Sequence, residues 1–130
     1  MVSKTYLETI DQEKAKELLI FLDKTEVKPT SFFWFYIPDI QAWRLVISSN
    51  YFKNMSKKDS YREFIIKFKN NNIVQEIGVE NITLLQPDNG IIMLLRSVMK
   101  TDPKSVNGIR FKYNTIKNIY IDDAYIYRLS

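Results

Sequence analysis

The chain has 130 residues, of which 45% are hydrophobic, and a formal net charge of +4. This length is close to the commonest domain size, so we predict a single domain over residues 1–130. The sequence contains no His and no Cys. This composition excludes Ser–His and Cys–His nucleophile pairs, His-ligated metal sites and disulfides, and it leaves carboxylate chemistry and Mg²⁺ sites as the main catalytic options.

No targeting or membrane-spanning segment is evident in the sequence. The initial stretch MVSKTYLETIDQEKAKELL has neither an apolar centre nor a small-residue cleavage site, so we do not expect a signal peptide. The longest apolar runs, residues 32–37 and 91–95, are far too short to cross a bilayer. We therefore predict a cytoplasmic protein with no membrane partner, and its many Ile, Lys and Asn residues are typical of a low-GC bacterial genome.

Three helices are predicted from capping signals and apolar periodicity. The first runs from about Asp11 to Lys24, with Thr9 and Gln12 at capping-box spacing. Its apolar positions fall on one helical face: Ala15, Leu18, Leu19 and Leu22. The second covers residues 59–70, with Ser60 and Glu63 at the same capping spacing, and the third covers residues 89–100 after Asp88 or Asn89.

The strands are predicted from β-propensity and alternation. FFWFYI and AWRLVISS form a pair joined by the short loop PDIQ, and ITLLQP is a shorter strand. GIRFKYNTIKNIYI reads as a hairpin with its turn at Asn114–Thr115, and DDAYIYRLS is one further strand or a bent continuation. Together these elements predict an α+β fold in two layers, a mostly antiparallel sheet with about three helices on one face.

The strand FFWFYI is aromatic or apolar on both faces. Three explanations remain open for this pattern: burial on both sides, rings that stack nucleic-acid bases, or a face that meets a partner protein. No Lys or Arg precedes Arg44 in this region, which argues against base stacking. We predict that one face is only partly covered within the isolated chain. The candidate partner-face residues are Phe33, Trp34, Phe35, Tyr36 and Trp43.

Charged residues suggest two further sites. Asp122 and Asp123 are adjacent, but neighbours in a regular strand point to opposite faces, so we predict pairing with Arg110 or Arg128 and no metal site. There is no phosphate-binding loop, and we predict no cofactor. A nucleic-acid face would gather basic residues around exposed rings on one side of the sheet. The candidates for that face are Arg44, Arg110, Lys112 and Lys117.

The segments WRLVISS, GIRFKYNTI and YIDDAYIYRLS carry a resemblance. They resemble a group of small, uncharacterised bacterial proteins with an upstream Trp-Arg-Leu-Val strand, an Ile-Arg-Phe strand and an Asp-Ala-Tyr-Ile-Tyr-Arg ending. The likeness covers roughly residues 31–130. It implies a shared fold and supplies no activity, ligand or site residue.

Three classes of function stay open. We predict a non-enzymatic interaction protein, an accessory or antitoxin-like subunit that binds another cytosolic protein or a second copy of itself. The aromatic surplus and the missing catalytic side chains favour this class. The alternatives are a nucleic-acid-binding module and an enzyme that uses carboxylates with Mg²⁺.

Overall fold

The computed structural model describes residues 4–130, which form a five-stranded sheet and four α-helices. In chain order the elements are α1 (Thr9–Asp23), β1 (Ser31–Ile37), β2 (Ala42–Ser48), α2 (Lys57–Phe68), α3 (Asn72–Ile77), β3 (Ile82–Leu84), α4 (Gly90–Arg96), β4 (Ile109–Ile116) and β5 (Ile119–Leu129). No helix within residues 4–130 has the length and apolar character needed to cross a membrane.

The predicted α+β class and mostly antiparallel sheet are confirmed. The strand order is β3-β2-β1-β5-β4, and every neighbouring pair is antiparallel except β2 with β3. A parallel pair needs a long crossover because the chain must return to the same end of the sheet. The segment containing α2 and α3 is that crossover.

Local capping residues decide where the helices begin. The side chain of Ser56 accepts a hydrogen bond from the Asp59 amide at 3.1 Å, so α2 starts at Lys57, and the predicted cap at Ser60 is wrong. The sequence does not indicate helix α3, because the helix begins at the last of three consecutive Asn, which disfavour a helix interior. One of these, Asn71, instead caps α3 by accepting from the amides of Ile73 and Val74.

Helices cover both faces of the sheet. One apolar cluster joins Phe32 and Trp34 to buried side chains of α1, α2 and α3. The other joins Phe33 to Val46 and to buried side chains of α4. Three helices therefore lie on one face, as predicted, but the third of them is α3 and not the helix predicted over residues 89–100. The helix predicted over residues 89–100 is shorter and packs on the opposite face, because its apolar residues bury against the other side of β1 and β5.

A β-bulge fixes the end of the chain to α1. The register between β1 and β5 shifts between Phe32 and Phe33, which leaves Tyr127 as an extra residue in β5. Both Tyr127 and Arg128 bond to groups of α1: Tyr127 donates to the Gln12 carbonyl at 2.7 Å, and Arg128 binds the Asp23 carboxylate. The terminal strand is thus an integral part of the sheet, continuous with the hairpin.

The hairpin turn lies three residues beyond its predicted position. Ile116 pairs with Ile119, so Lys117 and Asn118 form the two-residue loop, and both have positive φ (49° and 69°). Two positive φ angles are typical of a type I′ turn, the form that matches strand twist. The predicted turn at Asn114–Thr115 is therefore wrong, and both residues lie within β4.

Candidate protein interface

Among the strands formed by residues 4–130, β4 lies at one edge of the sheet and pairs only with β5. Most of its side chains are exposed, in contrast to the central strands. A long edge strand presents unpaired backbone groups to which another chain can add. The exposed residues that we name the hairpin surface are Ile109, Arg110, Lys112, Tyr113, Ile119 and Tyr120.

The backbone geometry shows which groups of β4 face outward. In a hairpin closed by a two-residue loop, the flanking pair, here Ile116 and Ile119, is hydrogen-bonded, and the bonding then alternates along the ladder. By this alternation Ile109, Phe111 and Thr115 direct their N–H and C=O groups away from β5. Tyr113 has a φ of 56° and interrupts the regular ladder. The straight part of the edge is therefore residues 109–112.

Arg110 links the hairpin surface to the aromatic centre of the sheet. Its Nε and Nη2 donate to the two carboxylate oxygens of Asp123 at 2.7 and 2.6 Å. The guanidinium lies 5.6 Å from the centre of the Trp43 ring, and the Tyr36 ring lies 5.4 Å from Trp43. The hydrogen bond with Asp123 raises the pKa of Arg110, so this side chain keeps its charge. The predicted pairing of Asp123 with Arg110 is confirmed.

The two lysines of the hairpin are not neutralised by acids. Within residues 4–130, neither Lys112 nor Lys117 takes part in an ion pair. The ammonium of Lys112 instead lies 4.9 Å from the centre of the Tyr113 ring, which is 65% exposed. The edge thus combines uncompensated positive charge with exposed aromatic and aliphatic side chains.

Most of the predicted partner-face residues are core residues. Phe33 and Trp34 are completely buried and Trp43 is 4% exposed, so these three are not accessible to a partner. The physical reason is that helices cover both faces of β1 over its first four residues. Only Phe35 and Tyr36, in the second half of the strand, remain partly exposed.

The predicted nucleic-acid face is not assembled. Arg110, Lys112 and Lys117 lie on the hairpin, but Arg44 lies in β2. Arg44 lies between Trp43 and Leu45, whose side chains point to the face of the sheet that α1 covers. Arg110 contacts Trp43 on that face, so the Arg44 side chain points to the opposite face. There it donates to the Thr83 hydroxyl at 3.0 Å. The four basic residues therefore do not form one surface.

In the part of the chain that the structure describes, no group of three or more acidic residues is placed so that it could hold a metal ion. Asp123 is 9% exposed, and its carboxylate accepts hydrogen bonds from Arg110. Among the described residues, Asp122 belongs to no such cluster of acidic residues.

The chain matches no protein-family model, no curated protein and no solved structure. The resemblance to a group of small bacterial proteins therefore stays a prediction. The candidate interface rests on the geometry of the hairpin and on the chemistry of its side chains.

Proposed function

We propose that this chain is a cytosolic, non-enzymatic interaction module that binds a partner protein through the hairpin surface. The observation that supports this proposal most directly is the exposed edge of β4, which unites unpaired backbone groups with Ile109, Tyr113 and Arg110. Tyr and Arg are enriched among residues that dominate binding energy at protein interfaces. Arg110 is held in place by Asp123 and Trp43, so little of its freedom is lost on binding.

The mixed charge of the hairpin favours a protein partner over nucleic acid. Asp123 forms an ion pair with Arg110, which stays partly exposed, and Asp122 adds a second acid on the neighbouring strand. Affinity for nucleic acid depends on several cations that contact successive phosphates. Exposed apolar residues with charges of both signs are instead typical of a protein interface.

The partner chemistry follows from the charges along the edge. A strand that pairs with residues 109–112 would place its side chains opposite those of β4 on the same face. Carboxylates would meet Lys112 and the exposed side of Arg110, and apolar residues would meet Ile109 and Phe111. We therefore propose an extended partner segment in which acidic and apolar residues alternate.

Self-pairing through this edge is disfavoured by like charges. In an antiparallel pair of β4 strands centred on Phe111, Arg110 would face Lys112 of the second copy. Centred on Lys112, the two lysines would face each other. Like charges directly opposite each other destabilise a strand pair. A heterologous partner is the better match.

The test is affinity purification of the full chain from its source cells, followed by measurement of stoichiometry. The double variant Lys112→Glu/Lys117→Glu should lose a stoichiometric protein partner, because it reverses the charge of the hairpin. The matched control Lys57→Glu/Lys58→Glu makes the same change in net charge on exposed residues of α2. It should retain the partner.

Both variants should melt close to the wild-type temperature, since all four lysines are exposed. A partner that both variants retain would contradict the proposal. So would recovery of nucleic acid alone, or of a homo-oligomer alone.

A further inference from the structure

Next to β3, at the opposite edge of the sheet from β4, lies a groove with a volume of about 830 Å³. Its walls come from the loop before α2, from the segment after β3 and from α4. This volume falls in the range of small-molecule sites, roughly 300–1,000 Å³. The residues that give the groove its chemistry are Lys53, Met55, Pro87, Asp88, Met93 and Arg96.

Hydrogen bonds hold the first two of these three walls together. The side-chain amide of Gln86 donates to the carbonyls of Phe52 at 2.9 Å and Met55 at 3.3 Å, which ties the segment after β3 to the loop before α2. The groove is therefore part of the fold and does not need a ligand to form. Pre-formed sites bind with a smaller entropic cost than sites that must be ordered.

Arg96 brings to this groove a buried donor atom that has no partner within residues 4–130. Its Nε–H is buried and has no hydrogen-bond partner, and its Nη2 makes one long bond of 3.5 Å to the Pro87 carbonyl. No carboxylate within residues 4–130 forms an ion pair with it. A buried donor without a partner is costly, and a guanidinium fork matches a carboxylate or phosphate.

The other lining residues define what kind of anion fits. Lys53 is exposed and also has no ion pair in the described part of the chain, whereas Asp88 adds one negative charge. Two cations and one acid leave a net charge of +1, which disfavours a polyanion. Met55, Met93 and Pro87 supply an apolar wall, and methionines adapt to irregular ligands.

We infer that this groove binds a small organic anion of low charge, with its carboxylate or phosphate group at Arg96 and its apolar portion against the two methionines. The probe is sodium hexanoate, which combines a carboxylate with a short alkyl chain. Acetate tests the carboxylate without the alkyl chain, and hexan-1-ol tests the alkyl chain without the charge. Inorganic phosphate shows whether the site prefers a phosphate group to a carboxylate. Binding is followed by NMR at the Arg96 Nε–H and the Met93 methyl group.

The expected result is saturable hexanoate binding that moves both signals, with weaker binding of acetate and of hexan-1-ol. Arg96→Gln should weaken it about tenfold or more, since a hydrogen bond to a charged group is lost. Arg62→Gln, on an exposed arginine of α2, should leave it unchanged. Lys53→Gln should weaken it about two- to fivefold, which provides a second variant on an exposed residue.

A phosphate response at Arg96 that exceeds the hexanoate response would keep the anion site and assign it to phosphate. The inference fails if neither anion saturates, if Arg96→Gln binds hexanoate as the wild type does, or if hexan-1-ol binds as tightly as hexanoate. Equal binding by the Lys53→Gln and wild-type proteins would also remove the electrostatic basis of the site.

Discussion

Arg128 is a buried cation that joins the last strand to the first helix. Its side chain is 2% exposed and donates two hydrogen bonds to Asp23, at 2.7 and 2.8 Å, and one each to the carbonyls of Pro29 and Ser105. A buried charge is tolerated only when it is paired and its donors are satisfied. The bulge in β5 is what turns this side chain toward α1.

Removing the acid should therefore be costly. Asp23→Ala leaves the Arg128 charge buried without its partner, and we expect the free energy of unfolding to fall by about 3–5 kcal/mol. The measurement is urea unfolding. Glu26→Ala breaks an ion pair with Lys67 in which the glutamate is 72% exposed, and it should change the stability by less than about 1 kcal/mol. If both variants lost the same free energy of unfolding, the burial of Arg128 would not be the reason for the loss in Asp23→Ala.

At the scale of the element, the β4–β5 hairpin depends on an unusual turn. Lys117 and Asn118 both adopt left-handed conformations that Gly and Asn accept more readily than Lys. Lys117→Asn combined with Asn118→Gly should therefore raise the free energy of unfolding by about 1 kcal/mol. Asn114→Gly, at a strand position, should instead lower it by about 0.5–1 kcal/mol. Stabilisation by Asn114→Gly would contradict the position of the turn.

Sequence patterns predict the long elements because those patterns are local. The spacing of Ala15, Leu18, Leu19 and Leu22 identifies the buried side of α1, and aromatic propensity identifies β1. Helix α3 is too short to show a period, and the turn at Lys117–Asn118 has no Gly to mark it. Local signals were insufficient in both places.

The arrangement of elements depends on contacts distant in sequence. The apolar side of α4 indicates that this helix packs against the sheet, but it does not indicate which face of the sheet the helix covers. Likewise, alternation in β4 predicts that Ile109 and Phe111 share one face of the strand, but not that Ile109 is 45% exposed because the strand lies at the sheet edge. Local patterns therefore indicate Arg110 and Lys112 of the hairpin surface only as candidates for a nucleic-acid face, and they indicate core rings such as Trp34 as the partner face.

At the scale of the whole molecule, the buried tyrosine in the first apolar cluster limits stability in alkali. Burial raises the pKa of Tyr127 far above its ordinary value of about 10, so the folded protein keeps it neutral while the unfolded chain ionises it. The unfolded chain then binds fewer protons than the folded one, and the stability present below about pH 10 is lost as the pH rises further.

The measurement is urea unfolding as a function of pH. Above about pH 10 this residue should contribute a loss of about 1.4 kcal/mol per pH unit. Tyr127→Phe should make the decline less steep, although it also loses the bond to Gln12. Tyr6→Phe, at a side chain that is 77% exposed, should leave the pH dependence unchanged. An identical slope in the wild-type and Tyr127→Phe proteins would show that Tyr127 ionises alike in both states.

The helices bury both faces of the sheet at its centre and leave the β4 edge uncovered, so the molecule offers a partner one long strand edge. Hydrogen–deuterium exchange, compared between the isolated chain and its stoichiometric complex, tests this account most directly. We predict that the partner slows exchange of the outward amides of Ile109 and Phe111 and leaves α2 unchanged. Protection confined to other elements, with exchange of residues 109–112 unaltered, would contradict the proposed interface.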